Sequence, residues 1–336
     1  MFVGNLLLRM FPTNAPQNKE RICDMKSIRT VTLNPAFDLH YHMEHFEAKK
    51  ENYVQSILCD AGGKGINISR ALTVNGVENT AYVILGEENG ATFEAQLGRD
   101  GLRYVPLYTE GRIRENITLH PADDKETRIS LDTFRVTPEM LHKMETALEK
   151  DAEKGGLLAF AGRLPRGIEK AEVIAFLKNR VAEGDRVIVD SNSLMPEDLQ
   201  EIRPWFIKPN EQEIAAFLGR TVTDPTDAAN AAAALVGRGV AEEVMISLGG
   251  DGAVWSNGAR KLILSVPRLE HPVSTIGAGD STLAGLLAAT AKGADVADAL
   301  ANAVAYGTAA CMTPGTLPPR PEDVKTVLAG VKVTEV

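Results

Sequence analysis

The sequence predicts an α/β protein with a doubly wound, mostly parallel sheet flanked by helices and with a small β-strand lid. Three observations predict this class. Short apolar runs alternate with longer stretches of helical periodicity, the runs are apolar on both faces, and two segments of polar and apolar alternation interrupt the rhythm. The 336 residues are enough for one large α/β domain with an insertion, or for two modest domains.

The strands and helices follow from periodicity and from end signals. Six short apolar runs predict buried parallel strands, at 30–33, 81–85, 157–161, 186–190, 205–208 and 244–248. Eight periodic stretches predict helices, several opened by Asn, Asp, Thr or Pro and closed by Gly. They span 66–75, 90–100, 137–149, 169–183, 210–218, 225–238, 280–292 and 294–312.

The lid and the chain's start depart from this rhythm. Segments at about 40–58 and 112–134 alternate polar and apolar residues with few helix signals, and we expect them to supply the lid strands. The folded domain is predicted over 28–336, because Met25 is followed by a natural first strand. Residues 1–27 are predicted to be a disordered extension or the result of an upstream start site, since they lack the basic start of a signal peptide.

Composition excludes several classes of protein. The 36 Lys and Arg against 45 Asp and Glu give a net charge of −9, which disfavours nucleic acid or an anionic membrane as partner. Cys23, Cys59 and Cys311 form no CxxC pair and have no histidine pair beside them, so neither a disulfide framework nor a zinc site is predicted. The longest apolar run, 283–291, is about half of the roughly 20 residues a membrane span needs. We therefore expect a cytoplasmic protein.

Two glycine-rich motifs each precede a predicted helix. The first, DAGGKGINISRAL at 60–72, brings backbone amides to a helix start, where an oxygen-rich ligand binds or where the chain simply turns. It is not a Walker loop, because Gly65 follows Lys64. The second, STIGAGDSTLAGLL at 274–287, places Asp280 in a first helical turn. Asp280 is there either a helix cap or a general base beside amides that face a transferring phosphoryl group.

Two further motifs follow predicted strands. In WFIKPNEQEI at 205–214, Asn210 and Glu213 lie one helical turn apart, a spacing that suits Mg²⁺, directly or through water, or a capped helix start. In ISLGGDGA at 246–253, a glycine turn either admits nucleotide phosphates or closes a hairpin. Each motif alone is ambiguous.

Taken together and in this order, the motifs resemble those of the ribokinase-like carbohydrate kinases, the PfkB family. GGKGIN at 62–67 and GAGDS at 277–281 match the two family signatures, and the resemblance covers about residues 28–330. TLNPAFD at 32–38 and GRIREN at 111–116 are most similar to the phosphosugar branch, that of 1-phosphofructokinase and tagatose-6-phosphate kinase.

The resemblance implies a role for each matched residue. Asp280 would be the proton acceptor, with Gly277, Ala278 and Gly279 as the anion hole. Substrate would be bound by Asp38, Gly62, Gly63, Lys64, Asn67 and, through the phosphate it already carries, Arg114. ATP would be bound by Lys208, Asn210, Ser247, Gly249, Gly250, Gly252 and Thr308, and Mg²⁺ by Asn210 and Glu213. A K⁺ ion, held in some relatives, would lie near the carbonyls of Ser274, Ile276, Ala310 and Gly315.

Two departures from the family pattern stand out. The usual segment Gly-Ser-Leu-Pro-x-Gly reads GRLPRG at 162–167, with Arg163 in place of Ser. Arg163 would either add a second guanidinium to the sugar phosphate or block the usual pose. The segment Pro314-Gly315-Thr316 carries Pro where a polar residue often stands.

The resemblance implies an ATP-dependent kinase that converts a ketohexose monophosphate to a bisphosphate, fructose 1-phosphate first, with tagatose 6-phosphate and fructose 6-phosphate as alternatives. A homodimer through the lid is expected, because lid strands leave unpaired edges. A sensor that has lost turnover is the rival, disfavoured by the joint presence of Asp280, Asn210 and Glu213. A dinucleotide-dependent oxidoreductase is disfavoured, since no GxGxxG follows the first strand.

Overall fold

The computed structural model describes residues 26–123, 125–150 and 155–336. Its strands are β1 (Ile28–Thr32), β2 (Ala36–Met43), β3 (Ser56–Gly62), β4 (Thr80–Gly86), β5 (Tyr104–Thr109), β6 (Arg114–Pro121), β7 (Thr127–Ser130), β8 (Leu157–Ala161), β9 (Arg186–Asp190), β10 (Phe206–Ile207), β11 (Glu243–Ser247), β12 (Ala253–Ser256), β13 (Lys261–Ser265) and β14 (Lys332–Glu335). Its helices are α1 (Lys64–Val74), α2 (Gly90–Arg99), α3 (Pro138–Lys150), α4 (Lys170–Ala182), α5 (Pro196–Ile202), α6 (Glu211–Leu218), α7 (Pro225–Gly237), α8 (Ala278–Ala291), α9 (Val296–Ala310) and α10 (Pro321–Leu328).

A ten-stranded sheet runs through the molecule in the order β14-β13-β12-β11-β10-β9-β8-β1-β4-β5. The pairs from β5 to β11 are parallel, and β12, β13 and β14 add an antiparallel edge. The prediction of a doubly wound, mostly parallel sheet is confirmed. The strand order reverses at β1, which lies between β4 and β8, and ligands of such sheets bind outside the carboxyl ends of the strands at that point.

Helices cover both faces of this sheet. One hydrophobic cluster packs α2 to α7 against it, and a second packs α1, α8, α9 and α10 against the other face. Helices α8 and α9 approach so closely that a Cβ at Gly307 would lie 2.1 Å from Thr282 Oγ1, and one at Gly285 would lie 2.6 Å from the Asn302 carbonyl. Glycine at these two positions therefore fixes the placement of α8, whose N-terminus points into the site described below.

The lid is a four-stranded sheet in the order β3-β2-β6-β7. Its strands overlap the predicted lid segments but begin and end elsewhere, since β2 starts at Ala36 and β3 continues to Gly62. The glycine-rich turn into α1 is thus the end of a lid strand, which joins the lid directly to the site.

Several sequence-based predictions need correction. The strand predicted at 205–208 is only Phe206–Ile207, because Pro209 has no N–H for the ladder. The strands β5, β12, β13 and β14 and the helices α5 and α10 were missed, as they are short or lie at the sheet's edges. The predicted extension at 1–27 lies outside the described residues except for its last two. Within the part of the chain that is described, no helix is long and apolar enough to cross a membrane.

Candidate active site

Most of the side chains singled out from the sequence meet at one edge of the large sheet. Asp190 ends β9, Lys208 follows β10, Ser247 ends β11, and Lys64 and Asp280 stand in the first turns of α1 and α8. Parallel strands bring their carboxyl ends to the same edge, so residues far apart in sequence become neighbours here. This edge is the candidate active site.

Asp280 is a buried acid with a raised pKa in this site. Its side chain is buried, and its Oδ2 accepts a hydrogen bond of 2.8 Å from Asn67 Nδ2. Burial raises the pKa of Asp280 to about 6, with the charge of Asp190 adding to the rise and Lys64, Asn67 and Lys208 opposing it. A carboxyl group with this pKa is ionised at neutral pH yet basic enough to accept a proton, which suits a general base.

The start of α8 forms a pocket of positive potential beside Asp280. Gly277 has φ 78°, a left-handed conformation that favours glycine, and the helix begins at Ala278. The N–H groups of a first helical turn have no partner within the helix and attract anions. Lys208 Nζ would lie 3.1 Å from a Cβ at Gly279, so a lysine ammonium group approaches the same turn.

Asp190 is a residue of this site that the sequence analysis missed. It is buried, and its Oδ1 lies 3.2 Å from Lys64 Nζ. Burial alone would raise the pKa of Asp190, but the charges of Lys208 and Lys64 outweigh it and the net shift is downward. The available signal was an acid at the carboxyl end of a predicted buried strand, followed by the polar residues at 191–193.

Lys64, the partner of Asp190 in this ion pair, also has its charged form favoured. Burial alone would lower the pKa of Lys64, but Asp190, Asp280 and Glu213 outweigh it and the pKa is raised. Lys64 therefore stays charged and Asp190 stays ionised. This ion pair holds the ammonium group of Lys64 near Asp280.

Asp38 stands on the lid, over the opposite wall of the cleft. It is buried, and its Oδ1 accepts a hydrogen bond of 2.8 Å from Asn116 Nδ2. A Cβ at Gly62 would lie 2.1 Å from Asp38 Oδ2, so only glycine at 62 leaves room for this carboxylate. Gly63, with φ 130°, then turns the chain into α1.

Arg114 lies next to Asp38 in the lid. Its Nε donates to Asn34 Oδ1 at 2.8 Å and its NH1 donates to Asn116 Oδ1 at 2.7 Å. Burial lowers the pKa of Arg114, although arginine stays charged at any physiological pH. Arg163 stands in the loop after β8, where its NH2 lies 3.3 Å from Asp132 Oδ2.

Asn210 and Glu213 form a capping box at the start of α6. Asn210 Oδ1 accepts from the N–H groups of Gln212 and Glu213, and Glu213 Oε2 accepts from the N–H of Asn210. Both side chains thus cap a helix, which is the second of the two roles that the sequence predicted for them. A carboxylate has further lone pairs, and Glu213 lines a small cleft with Asp190, Asn192 and Lys208.

This donor set is the hard, oxygen-rich kind that suits Mg²⁺. Among the described residues, however, no group of three or more His, Cys, Asp or Glu side chains could hold a metal ion by itself. The residues fit an ion that is bound mainly through waters and nucleotide phosphates.

The remaining predicted residues lie on the nucleotide side or around it. Ser247 pairs with Asn210 through a parallel bridge, and Gly249, Gly250 and Gly252 form the tight turn between β11 and β12. That turn closes an antiparallel hairpin, as one interpretation of the motif held. Thr308 is half-buried near the end of α9.

The carbonyl cluster suggested for K⁺ is partly engaged within the protein. Ser274 N donates weakly to the Cys311 carbonyl at 3.4 Å, and the Ala310 carbonyl accepts from both N and Oγ1 of Thr313. An ion there would have to share the Ala310 oxygen with these donors.

Comparison with known proteins agrees with this geometry. Residues 31–323 match the model of the pfkB family carbohydrate kinases, which is most of the chain. The protein belongs to the PfkB family. It is therefore an ATP-dependent sugar kinase with the ribokinase-like fold.

Named relatives are similar over nearly their whole lengths. The chain is 33% identical to the 1-phosphofructokinase of Rhodobacter capsulatus, over 91% of this chain and 97% of that protein. It is 30% identical to the 1-phosphofructokinase of Haemophilus influenzae, over 84% of this chain and 90% of that one. Among solved structures, phosphofructokinase-2 from Escherichia coli in complex with potassium superposes with a TM-score of 0.84 at 26% identity, covering 91% of this chain and 99% of that one.

The buried charge of Asp280 should lower the stability of the folded protein at neutral pH. The folded state holds this carboxyl at a pKa of about 6 rather than 3.8, so ionising it costs stability as the pH rises between these values. Asp280→Asn should therefore raise the free energy of unfolding at pH 8 by on the order of 2 to 3 kcal/mol.

Urea unfolding of both proteins from pH 8 down to pH 5 measures this. The difference should shrink below pH 6, where the wild-type carboxyl is protonated in the folded state. Two results would contradict a raised pKa of Asp280: a variant less stable than wild type at pH 8, or a difference in unfolding free energy that does not change with pH.

Proposed function

We propose that this protein transfers the γ-phosphoryl group of ATP to a ketohexose monophosphate, giving the bisphosphate, with fructose 1-phosphate as the first choice of substrate. The observation that carries the proposal is Arg114, a half-buried guanidinium held by Asn34 and Asn116 beside Asp38. A carboxylate suits sugar hydroxyls, and a fixed guanidinium fork suits a phosphate that the sugar already carries. The names of the relatives at 30% and 33% identity support the choice of fructose 1-phosphate.

In the proposed reaction, Asp280 accepts the proton of the acceptor hydroxyl. The hydroxyl oxygen forms a bond to the γ-phosphorus of ATP, the bond from that phosphorus to the bridging oxygen breaks, and ADP leaves with the electron pair. The N–H groups from Gly277 to Gly279 and the ammonium of Lys208 stabilise the charge on the transferred group. Asn67 holds the Asp280 carboxylate in place through its hydrogen bond.

Ions and nucleotide are assigned to the other side of α8. Lys208, Asn210, the turn from Ser247 to Gly252 and Thr308 would bind ATP. Mg²⁺ would neutralise charge on the ATP phosphates, with Glu213, Asn210 and also Asp190 holding its waters. K⁺ is proposed as a further ion because the similar phosphofructokinase-2 of Escherichia coli was solved in complex with potassium.

Tagatose 6-phosphate and fructose 6-phosphate are the alternative substrates. An arginine recognises a phosphate whichever carbon carries it, so Arg114 favours a phosphosugar without selecting its isomer. The proposal places the enzyme in the cytoplasm, where ATP is at hand and where Cys59 and Cys311 can stay unpaired as they are in the structure.

An ADP-release assay with Mg-ATP tests this function. The acceptors are fructose 1-phosphate, fructose 6-phosphate, tagatose 6-phosphate, fructose and ribose, each with and without K⁺ and with EDTA as the metal-free control. We expect one phosphosugar to be turned over, Asp280→Asn to lose at least three orders of magnitude in kcat, and Arg114→Gln to raise the KM for the phosphosugar at least tenfold. Turnover of fructose or ribose in preference to every phosphosugar would contradict the proposal.

We also propose that the protein forms a homodimer through the lid. The edge strands β3 and β7 expose Ile57, Leu58 and Ile129 to between 46% and 58%, and exposed apolar strands of this kind favour association. Sedimentation equilibrium should give twice the chain mass for wild type and a shift towards monomer for Ile57→Glu with Ile129→Glu. A wild-type protein that is monomeric at micromolar concentration would contradict the proposed homodimer.

A further inference from the structure

Three arginines from three different elements meet at the mouth of the sugar site. Arg114 comes from β6, Arg128 from β7, and Arg163 from the loop after β8. Asn34 joins Arg114 to the loop of Arg163, because its Oδ1 accepts from Arg114 Nε and its Nδ2 donates to the carbonyl of Leu164 at 3.3 Å. Asn116 joins Arg114 to Asp38, the carboxylate nearest to Arg128. Two of these arginines belong to the lid and the third belongs to the large domain.

Arg128 lies on the same face of the lid as Asp38. In the lid sheet it pairs with Thr118, two residues beyond Asn116, and Asn116 in turn pairs with Asp38. Its NH2 is 3.9 Å from Asp38 Oδ1, an oxygen that already accepts the Asn116 amide at 2.8 Å. This distance is too long for a hydrogen bond, and the side chain is 52% exposed, so its donors are available to a ligand.

Arg163 is held loosely on the opposite side. Its NH2 lies 3.3 Å from Asp132 Oδ2, and the same oxygen accepts a hydrogen bond of 3.0 Å from Arg166 Nε. Two guanidinium groups thus share one carboxylate oxygen. Arg163 is 59% exposed, so a second anion can reach it without displacing a buried partner.

The charges of this group do not balance within the protein. Three guanidinium groups, those of Arg114, Arg128 and Arg163, lie near the carboxylates of Asp38 and Asp60, which pair across β2 and β3, while Asp132 is shared with Arg166. A net positive charge therefore remains at this place in a chain whose net charge is −9. A phosphate monoester carries about −1.5 to −2 at pH 7, so it would neutralise this positive charge.

We propose that Arg128 and Arg163 are specificity-determining residues that hold the phosphate of the acceptor together with Arg114, one from the lid and one from the large domain. This inference rests on the proposed function, because it concerns the phosphate of the proposed substrate. A phosphate bound in this way bridges the lid and the large domain and closes the lid over the sugar. An unphosphorylated sugar leaves the three cations unpaired and does not draw the lid down, so it is rejected.

Single variants and a matched control test the proposal. Arg128→Gln and Arg163→Gln should each raise the KM for the phosphosugar about tenfold or more, and together should lower its kcat/KM at least a hundredfold. The KM for ATP and the low turnover of fructose should stay within threefold of the wild-type values. A general loss of structure would change both of these values. Arg166→Gln is the matched control, because it removes a guanidinium of similar exposure, 55% against 59%, from the same oxygen of Asp132. The KM of this variant for the phosphosugar should change less than threefold.

A second readout does not depend on turnover. Inorganic phosphate at millimolar concentration should raise the melting temperature of wild type and of Arg166→Gln, and should raise it far less for Arg128→Gln and Arg163→Gln. Phosphate-dependent stabilisation follows binding to the folded state and needs no catalysis.

The outcomes separate this inference from the proposed function. If wild type turns over a phosphosugar but Arg128→Gln and Arg163→Gln keep its KM within twofold, the inference is overturned and the function stands. If these variants lose fructose and phosphosugar turnover alike, their role is structural and the inference is again overturned. If wild type turns over no phosphosugar while phosphate stabilisation still depends on Arg128 and Arg163, the phosphate site stands and the proposed function fails.

Discussion

The burial of one carboxyl group at the start of a helix is the constraint on which the site depends. Asp280 cannot be hydrated at this depth, and its ionised form is sustained by Asn67, Lys64 and Lys208 against the repulsion of Asp190. Lys64 and Asn67 lie on α1, Asp190 ends β9 and Lys208 follows β10, so the sheet, α1 and α8 must be correctly placed together for the carboxyl to keep its pKa near 6. The close packing of α9 against α8 through Gly285 and Gly307 serves the same end.

The lid adds a second electrostatic region, which differs from the buried one in its charge balance and in its exposure. The interior region balances lysines against buried carboxylates, whereas the lid region carries more guanidinium groups than carboxylates and is largely exposed. Under the proposed function, the buried region would hold the proton acceptor and the open region would attract the anionic substrate. Lid strand β3 runs directly into α1, so a movement of the lid is transmitted to Lys64 and Asn67.

Much of the fold could be predicted from the sequence because its central elements are strongly patterned. The predicted helices agree with the observed ones within two residues at each end, since caps and glycines mark them. The short edge strands were missed because runs of only a few residues carry no clear period. In the site, Asp280, Asn67 and Arg114 were found through motifs, but Asp190 and Arg128 were not, because only tertiary contacts reveal a buried ion pair or an arginine beside a distant carboxylate.

The most direct test of the account is the pH dependence of kcat at saturating substrates, measured from pH 5 to pH 8.5 for wild type and for Asn67→Ala. The account predicts that kcat of wild type falls tenfold per pH unit below about 6, as Asp280 is protonated. Since the Asn67 hydrogen bond lowers the pKa of Asp280, its loss should move this acid limb to higher pH, which titration of the substrate's phosphate would not do. A kcat that stays constant down to pH 5, or an acid limb that Asn67→Ala leaves in place, would contradict the central role of this carboxyl group.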